Sequence, residues 1–174
     1  PIKTRQARWA AALAHAVAST GLTPNAISLL SVAVAGGTAA ALLAAGGAEG
    51  ATRAGLFVVA AGTVQLRLLC NLLDGLVAVE GGKGTPSGEV FNDLPDRASD
   101  LLALVPAGYA IGLPFGPELG WAAGVLAVLT AYVRVLGGAC GLEQRFSGPM
   151  AKPHRMFALT VGLGAAALAV PAGW

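Results

Sequence analysis

Five apolar segments, each close to the length that crosses a lipid bilayer, limit how this chain can fold. They cover residues 24–46, 52–79, 88–111, 119–142 and 156–172. An α-helix of about 20 predominantly apolar residues spans the hydrocarbon core, and a helix satisfies its own backbone hydrogen bonds there. The sequence therefore predicts an all-α, polytopic membrane helix bundle with five transmembrane helices.

The composition favours a membrane protein over its main alternative, an alanine-rich soluble bundle. Only 11% of the residues are charged and 55% are hydrophobic, whereas soluble domains carry about 25% charged residues. The net charge of +2 does not indicate a basic surface for nucleic-acid binding. Cys70 and Cys140 both lie in apolar segments, so they are interpreted as buried thiols rather than as a disulfide framework or a zinc site.

The segment before the first apolar run is typical of a helix that lies on the membrane surface. Trp9, Leu13 and Val17 recur every four residues and form one apolar stripe behind a basic beginning. A poorly anchored tail is the alternative. We expect residues 1–20 to be an interfacial helix and residues 24–174 to be the transmembrane bundle, together a single membrane domain over 1–174.

Basic residues are concentrated on one side of the predicted bundle. With the N-terminus inside, Arg53 is the one basic residue in the predicted outside loops. The inside segments hold Lys3, Arg5, Arg8, Lys83, Arg145, Lys152 and Arg155. The positive-inside rule then predicts a protein of the inner (cytoplasmic) membrane, with the acidic stretch 71–100 facing the cytoplasm.

Residues 71–100 hold most of the acidic side chains, and carboxylates in such an apolar chain are costly unless paired, hydrated or bound to a cation. One helix would present Asn71 and Asp74, and the next would present Asn92 and Asp96. Oxygen ligands suit Mg²⁺, Mn²⁺ or Ca²⁺ rather than zinc. The stretch therefore predicts a divalent-metal site for phosphoryl-type transfer on a lipid.

A structural polar network is the alternative interpretation of the same stretch. In that network, Asp74 and Asp96 would pair with Arg67 and Arg97 instead of binding a ligand. Arg67 lies four residues before Asn71 and therefore shares its helix face.

The spacing of these residues resembles the signature of the CDP-alcohol phosphotransferases, a family of membrane enzymes. Their pattern is D-x2-D-G-x2-A-R, about eight residues, then G-x3-D-x3-D. The corresponding residues here are Asn71, Asp74, Gly75, Ala78, Val79, Gly88, Asn92 and Asp96. Thr23-Pro24-Asn25-x-x-Ser28, Tyr132-x-Arg134 and Pro153-His154-Arg155 are also similar to family motifs, so the resemblance extends over nearly the whole chain.

The resemblance implies a function and a set of site residues. A phosphatidyl group would pass from a CDP-linked lipid, expected to be CDP-diacylglycerol, to an alcohol hydroxyl, and CMP would leave. One or two Mg²⁺ or Mn²⁺ ions would bind Asn71, Asp74, Asn92 and Asp96, with Asp96 as general base. CDP would contact Arg67, Gly75, Ala78 and Gly88. The acceptor, a phosphorylated or otherwise anionic alcohol, would contact Arg134, Lys152, His154 and Arg155 in a homodimeric enzyme.

Several departures from the family pattern leave alternatives open. Asn71 and Asn92 stand where the family has aspartate, and Val79 stands where it has arginine. With only Asp74 and Asp96 charged, two divalent ions would leave excess positive charge. The chain could be a natural subfamily with altered metal use, a catalytically impaired homologue that binds nucleotide-lipid or cation without turnover, or an engineered inactive form. A further alternative for the whole protein is a transporter. For His154 and Arg155, the alternative role is to anchor the chain to lipid headgroups. The family has six transmembrane helices, so one is apparently missing here.

Overall fold

The structure is a computed structural model that describes residues 8–80, 88–142 and 151–170. Within these ranges the chain forms helices and no strand, which confirms the all-α prediction. The helices are α1 (Arg8–Ser19), α2 (Pro24–Gly46), α3 (Gly50–Glu80), α4 (Gly88–Ala110), α5 (Gly116–Ala139) and α6 (Lys152–Ala169). The first seven residues of the predicted interfacial segment lie outside the described residues.

Three of the described helices are long and apolar enough to cross a membrane. They are α2, the part of α3 over Gly50–Ala78, and α5. Helices α4 and α6 carry the charged residues of the site described below, which lowers their hydropathy. The prediction of five transmembrane helices is therefore supported for three of them and stays a prediction for the other two.

Proline residues mark where the helices begin. At α2, the Thr23 hydroxyl accepts a hydrogen bond from the Ala26 backbone N–H at 3.2 Å, and Pro24 occupies the first helical position. That start agrees with the prediction. Helices α5 and α6 begin three and four residues earlier than predicted, because Pro117 and Pro153 lie in their first turns. Proline is tolerated there, since the first N–H groups of a helix have no intrahelical partner.

The helices pack around α2 and α3. Helix α2 contacts α3 and α4, α5 contacts α4, and both α1 and α6 contact α3. One apolar cluster joins α2, α3, α4 and α6 and includes Leu42, Phe57, Ala110 and Leu163. A second cluster joins α1, α2 and α3 and includes Ala14, Ile27, Leu73 and Val77. In the described part of the chain, α3 and α4 are not among the closely packed pairs of helices. Apart from the first apolar cluster, charged side chains form the contacts between these two helices.

Glycines allow the backbones of α4 and α5 to touch. A Cβ atom added at Gly120 would lie 2.7 Å from the Val105 carbonyl oxygen and 3.0 Å from the Gly108 Cα. A Cβ atom at Gly124 would lie 2.9 Å from the Leu101 side chain. These distances are below van der Waals contact, so the two helices pack at a separation that only glycine permits.

We expect Gly120→Ala to lower the melting temperature of the purified protein in detergent. Forcing a methyl group into packed backbone costs about 1–3 kcal/mol, which outweighs the gain of about 1 kcal/mol from replacing a helical glycine. Gly137→Ala on the same helix is the matched control, because a Cβ atom there meets nothing within 4 Å. Equal melting temperatures for the two variants would contradict the tight α4–α5 contact.

Candidate functional site

One face of α3 supplies three polar residues to the interior of the bundle. Arg67, Asn71 and Asp74 follow one another at steps of four and three residues, which places them on the same side of the helix. The side chains of Arg67 and Asp74 are buried, with relative exposures of 2% and 5%. Buried charges need partners, and here the partners come from other helices.

The central contacts join α3, α4 and α6 through Asp100. The Arg67 Nη2 atom lies 3.1 Å from Asp100 Oδ1, and the Arg155 Nη2 atom lies 2.9 Å from Asp100 Oδ2. Asp100 is completely buried. Each of its carboxylate oxygens therefore accepts a charge-assisted hydrogen bond from a different helix, which fixes its position.

Asp96, one turn before Asp100, accepts hydrogen bonds from three donors. Its Oδ1 atom lies 2.9 Å from the Asn71 amide nitrogen and 3.3 Å from Arg67 Nη2. Its Oδ2 atom forms an ion pair with the Lys152 ammonium group. Three helices thus converge on this one carboxylate, and both of its oxygens are occupied.

Two donors of the Arg67 guanidinium have no partner among the described residues. Its Nη2 group donates to Asp96 and Asp100, but its buried Nε and Nη1 atoms have no hydrogen-bond partner among the described residues. Buried polar groups are almost always satisfied by protein, water or ligand. The guanidinium therefore offers hydrogen bonds to an additional acceptor, and an anionic oxygen matches its charge.

Within the described ranges, the side chain that holds Asp74 comes from α2. The Ser28 hydroxyl donates to Asp74 Oδ2 at 2.8 Å across the α2–α3 contact. Ser28 belongs to the Thr23-Pro24-Asn25-x-x-Ser28 sequence at the start of α2. The contact of this segment with the site depends on the relative position of two helices, so the spacing of its residues does not predict it.

A second ion-pair cluster lies beside the first and was not predicted. Asp93 Oδ1 accepts from Arg97 Nη2 at 3.0 Å and from Arg134 Nη2 at 3.2 Å, which connects α4 with α5. The spacing of four residues between Asp93 and Arg97 was the available signal. The alternative prediction of a polar network is right for Arg67 with Asp96, whereas Arg97 pairs with Asp93.

The environment of Lys152 perturbs its ionisation. Burial lowers the pKa of this ammonium group, and repulsion from Arg67 lowers the pKa further. The neighbouring Asp96 and Asp100 carboxylates oppose both effects. The Lys152 ammonium is therefore poorly hydrated and depends on nearby anions to keep its charge.

Most of the predicted site residues come together, and some do not. The main network contains Arg67, Asn71, Asp74, Asp96, Lys152 and Arg155. Arg134 belongs to the second cluster, and the His154 side chain is exposed. Gly75 and Ala78 follow Asp74 along α3, and Gly88 is the first residue of α4. The side chain of Asn92 lies outside the described residues.

The described side chains do not fit a divalent cation as they are arranged. Asn71 turns its amide nitrogen, a donor, toward Asp96, and Lys152 already contacts the other oxygen of that carboxylate. Within the described ranges no group of three or more His, Cys, Asp or Glu residues could hold a metal ion. No chemical step proposed below is therefore derived through a metal.

The arrangement of helices is similar to that in solved structures of phosphatidylinositol phosphate synthase (PgsA1) from Mycobacterium tuberculosis. The form with CDP-DAG bound matches with a TM-score of 0.70 and 24% identity, over 94% of this chain and 88% of that chain. The form with manganese and citrate matches with a TM-score of 0.69 and 23% identity, over 92% and 83%.

The apo form of the same synthase matches with a TM-score of 0.61 and 23% identity, over 91% of this chain and 88% of that chain. No protein-family model matches the sequence, and no curated protein matches it either. At these identities the comparison establishes the fold, and the chemistry must be argued from the residues of this chain.

Proposed function

We propose that this protein transfers a phosphatidyl group from CDP-diacylglycerol to the hydroxyl group of an alcohol and releases CMP. The observation that carries the proposal is the convergence of Arg67, Lys152 and Arg155 on Asp96 and Asp100 within this fold. Asp96 is one of the residues whose spacing resembles the family signature. The fold's similarity to a synthase solved with CDP-DAG bound adds support.

Donor binding would use the cations of the network. The unused Nε and Nη1 donors of Arg67 match the oxygens of a diphosphate. Lys152 and Arg155 add positive charge at the beginning of α6. The cytidine would lie along Gly75, Ala78 and Gly88, where small residues leave room for a base.

The transfer itself is a displacement at phosphorus. The acceptor oxygen attacks the phosphatidyl phosphorus and forms a new P–O bond. The bond from that phosphorus to the bridging oxygen of CMP breaks, and CMP leaves with the electron pair. Asp96 takes the proton of the acceptor hydroxyl. Since Lys152 contacts Asp96 Oδ2, the ammonium would turn to the incoming diphosphate and leave that oxygen for the acceptor.

The acceptor is expected to be an anionic alcohol. Arg134 lies in the cluster beside the main network, and Lys152 and Arg155 face the network from α6. Their charge favours a phosphorylated acceptor. His154 is exposed, which agrees better with its alternative role at the headgroups.

The homodimer, the inner-membrane location and the cytoplasmic orientation stay predictions.

The test is a CMP-release assay on the purified protein with CDP-diacylglycerol. Glycerol phosphate, inositol phosphate and serine are each supplied as acceptor, once with Mn²⁺ and once with EDTA. We expect CMP release that depends on the acceptor and is fastest with a phosphorylated one. CMP release that is absent with every acceptor and in both buffers would contradict the transferase.

A binding protein without turnover is the second candidate, and one observation favours it. Both oxygens of Asp96 accept hydrogen bonds, from Asn71 and Arg67 on Oδ1 and from Lys152 on Oδ2, and these contacts stabilise the ionised carboxylate and weaken it as a base. This candidate predicts saturable binding of CDP-diacylglycerol with no CMP release from any acceptor. The same assay, run beside a binding titration, separates the two candidates.

A further inference from the structure

The Lys152 ammonium group contacts Asp96, a residue that the sequence predicts to bind a divalent metal ion. Asp96 is the charged member of the predicted metal ligands on α4, and its Oδ2 atom pairs with the Lys152 ammonium. A divalent ion that used this oxygen would lie beside the partly buried Lys152 ammonium group, and the two cations would repel each other. The Asn71 amide nitrogen on Oδ1 would also have to turn away.

The charges of the network lead to the same conclusion. Among the described residues, Arg67, Lys152 and Arg155 form ion pairs with Asp96 and Asp100, and Asp74 is held by Ser28, so the formal charges of these three acidic and three basic residues sum to zero. Adding a divalent ion would leave a buried excess of positive charge, which is costly in a medium of low dielectric constant. The neighbouring cluster adds two arginines and one aspartate, so the described side chains of the two clusters together carry a formal excess of one positive charge.

The lysine also has the properties that phosphate binding requires. Its ammonium group is a compact charge on a flexible stem with three donors. It is adjacent to Arg67, whose Nε and Nη1 atoms have no partner in the described part of the chain. A diphosphate that enters the network would therefore meet two cationic groups that can donate hydrogen bonds to it.

We propose that the Lys152 ammonium takes the place of a divalent cation in this site, so that the diphosphate of the donor binds to Lys152 and Arg67 without a metal ion. The identity of the donor rests on the proposed function, whereas the exclusion of the divalent ion does not. Lys152 is thus a phosphate-binding residue that also determines which cation the site uses.

The first test measures Mn²⁺ alone, with free Mn²⁺ followed by its electron paramagnetic resonance signal. The unmodified protein should show no saturable binding. The Asn71→Asp, Lys152→Met double variant adds a carboxylate and removes the competing ammonium, so its affinity should exceed that of the unmodified protein by at least about tenfold. Lys152→Arg keeps the cation and is the matched control, with no gain expected. Saturable binding by the unmodified protein, or no gain in a double variant with a normal melting temperature, overturns the proposal.

The second test measures CDP-diacylglycerol binding by calorimetry in detergent, with EDTA or with Mn²⁺. The dissociation constants should agree within about twofold, and Lys152→Met should weaken binding by at least about tenfold. Binding that requires Mn²⁺ overturns the proposal even if every variant fails to fold. Failure to bind in either buffer contradicts the proposed function instead, and the Mn²⁺ titration still decides which cation the site uses.

Discussion

The Asp96→Asn variant is expected to release CMP at least about 100-fold more slowly than the unmodified protein. Removing a general base typically costs about 10²–10⁴-fold in rate, and asparagine cannot take the acceptor proton. The substitution preserves shape and leaves an oxygen that can accept from Arg67 or Lys152. The loss should therefore fall mainly on kcat, whereas KM for CDP-diacylglycerol should change much less. Steady-state CMP release at several donor concentrations measures both.

Glu118→Gln is the matched control for this measurement. Glu118 lies in the first turn of α5, the turn that packs near Gly108 on the later half of α4, away from Asp96. It loses the same charge and should keep the full rate. Unchanged turnover in Asp96→Asn would remove Asp96 as the base. A rise in KM at constant kcat would show that Asp96 serves binding rather than proton transfer.

Arg67→Met is expected to have the largest effect on stability of any substitution in the network. It leaves the fully buried Asp100 with one partner instead of two and removes a donor from Asp96. Breaking a buried ion pair on one side costs about 3–5 kcal/mol, because a charge remains without compensation. Since charged side chains are the main connection between α3 and α4, the two helices should separate more easily. Thermal unfolding in detergent, followed by helical circular dichroism, measures the change.

Gln65→Met is the control on the same helix. Gln65 is exposed, and its amide nitrogen donates to Thr160 Oγ1 at 2.8 Å. Loss of this exposed hydrogen bond should cost no more than about 1 kcal/mol. If Arg67→Met unfolds at the same temperature as Gln65→Met, the buried network does not hold α3 and α4 together.

The sequence was sufficient to predict the helices, because their apolar runs are long and their caps are local. Thr23 and Pro24 define the start of α2 within four residues of chain, and no distant contact is required. The same reasoning from local sequence did not predict where α6 begins. Pro153 and its basic neighbours were interpreted as loop, although proline is compatible with the first turn of a helix. The consequence was functional, since Lys152 and Arg155 lie one turn apart on a helix face and not on a loop.

The residues of the site could be predicted from the sequence, but the ion pairs between them could not. Arg67, Asn71 and Asp74 share a face of α3 by spacing alone. Which acid Arg67 meets depends on how far α3 and α4 are shifted along each other, and no periodicity encodes that shift. Asp100 was not among the predicted site residues, yet it is the most buried carboxylate of the network. The two asparagines indicated a loss of negative charge, but the compensating position of Lys152 required the fold.

The neutrality of the network constrains how such a sequence can evolve. A mutation that restores aspartate at Asn71 alone would introduce an unmatched negative charge beside Asp96, and loss of Lys152 alone would leave Asp96 with less positive charge around it. Each of these mutations alone leaves a buried charge without compensation and is unfavourable. The two mutations together replace one charge-balanced arrangement with another. Descendants of a common ancestor should therefore carry either aspartate without the lysine or asparagine with it, and intermediates should be rare.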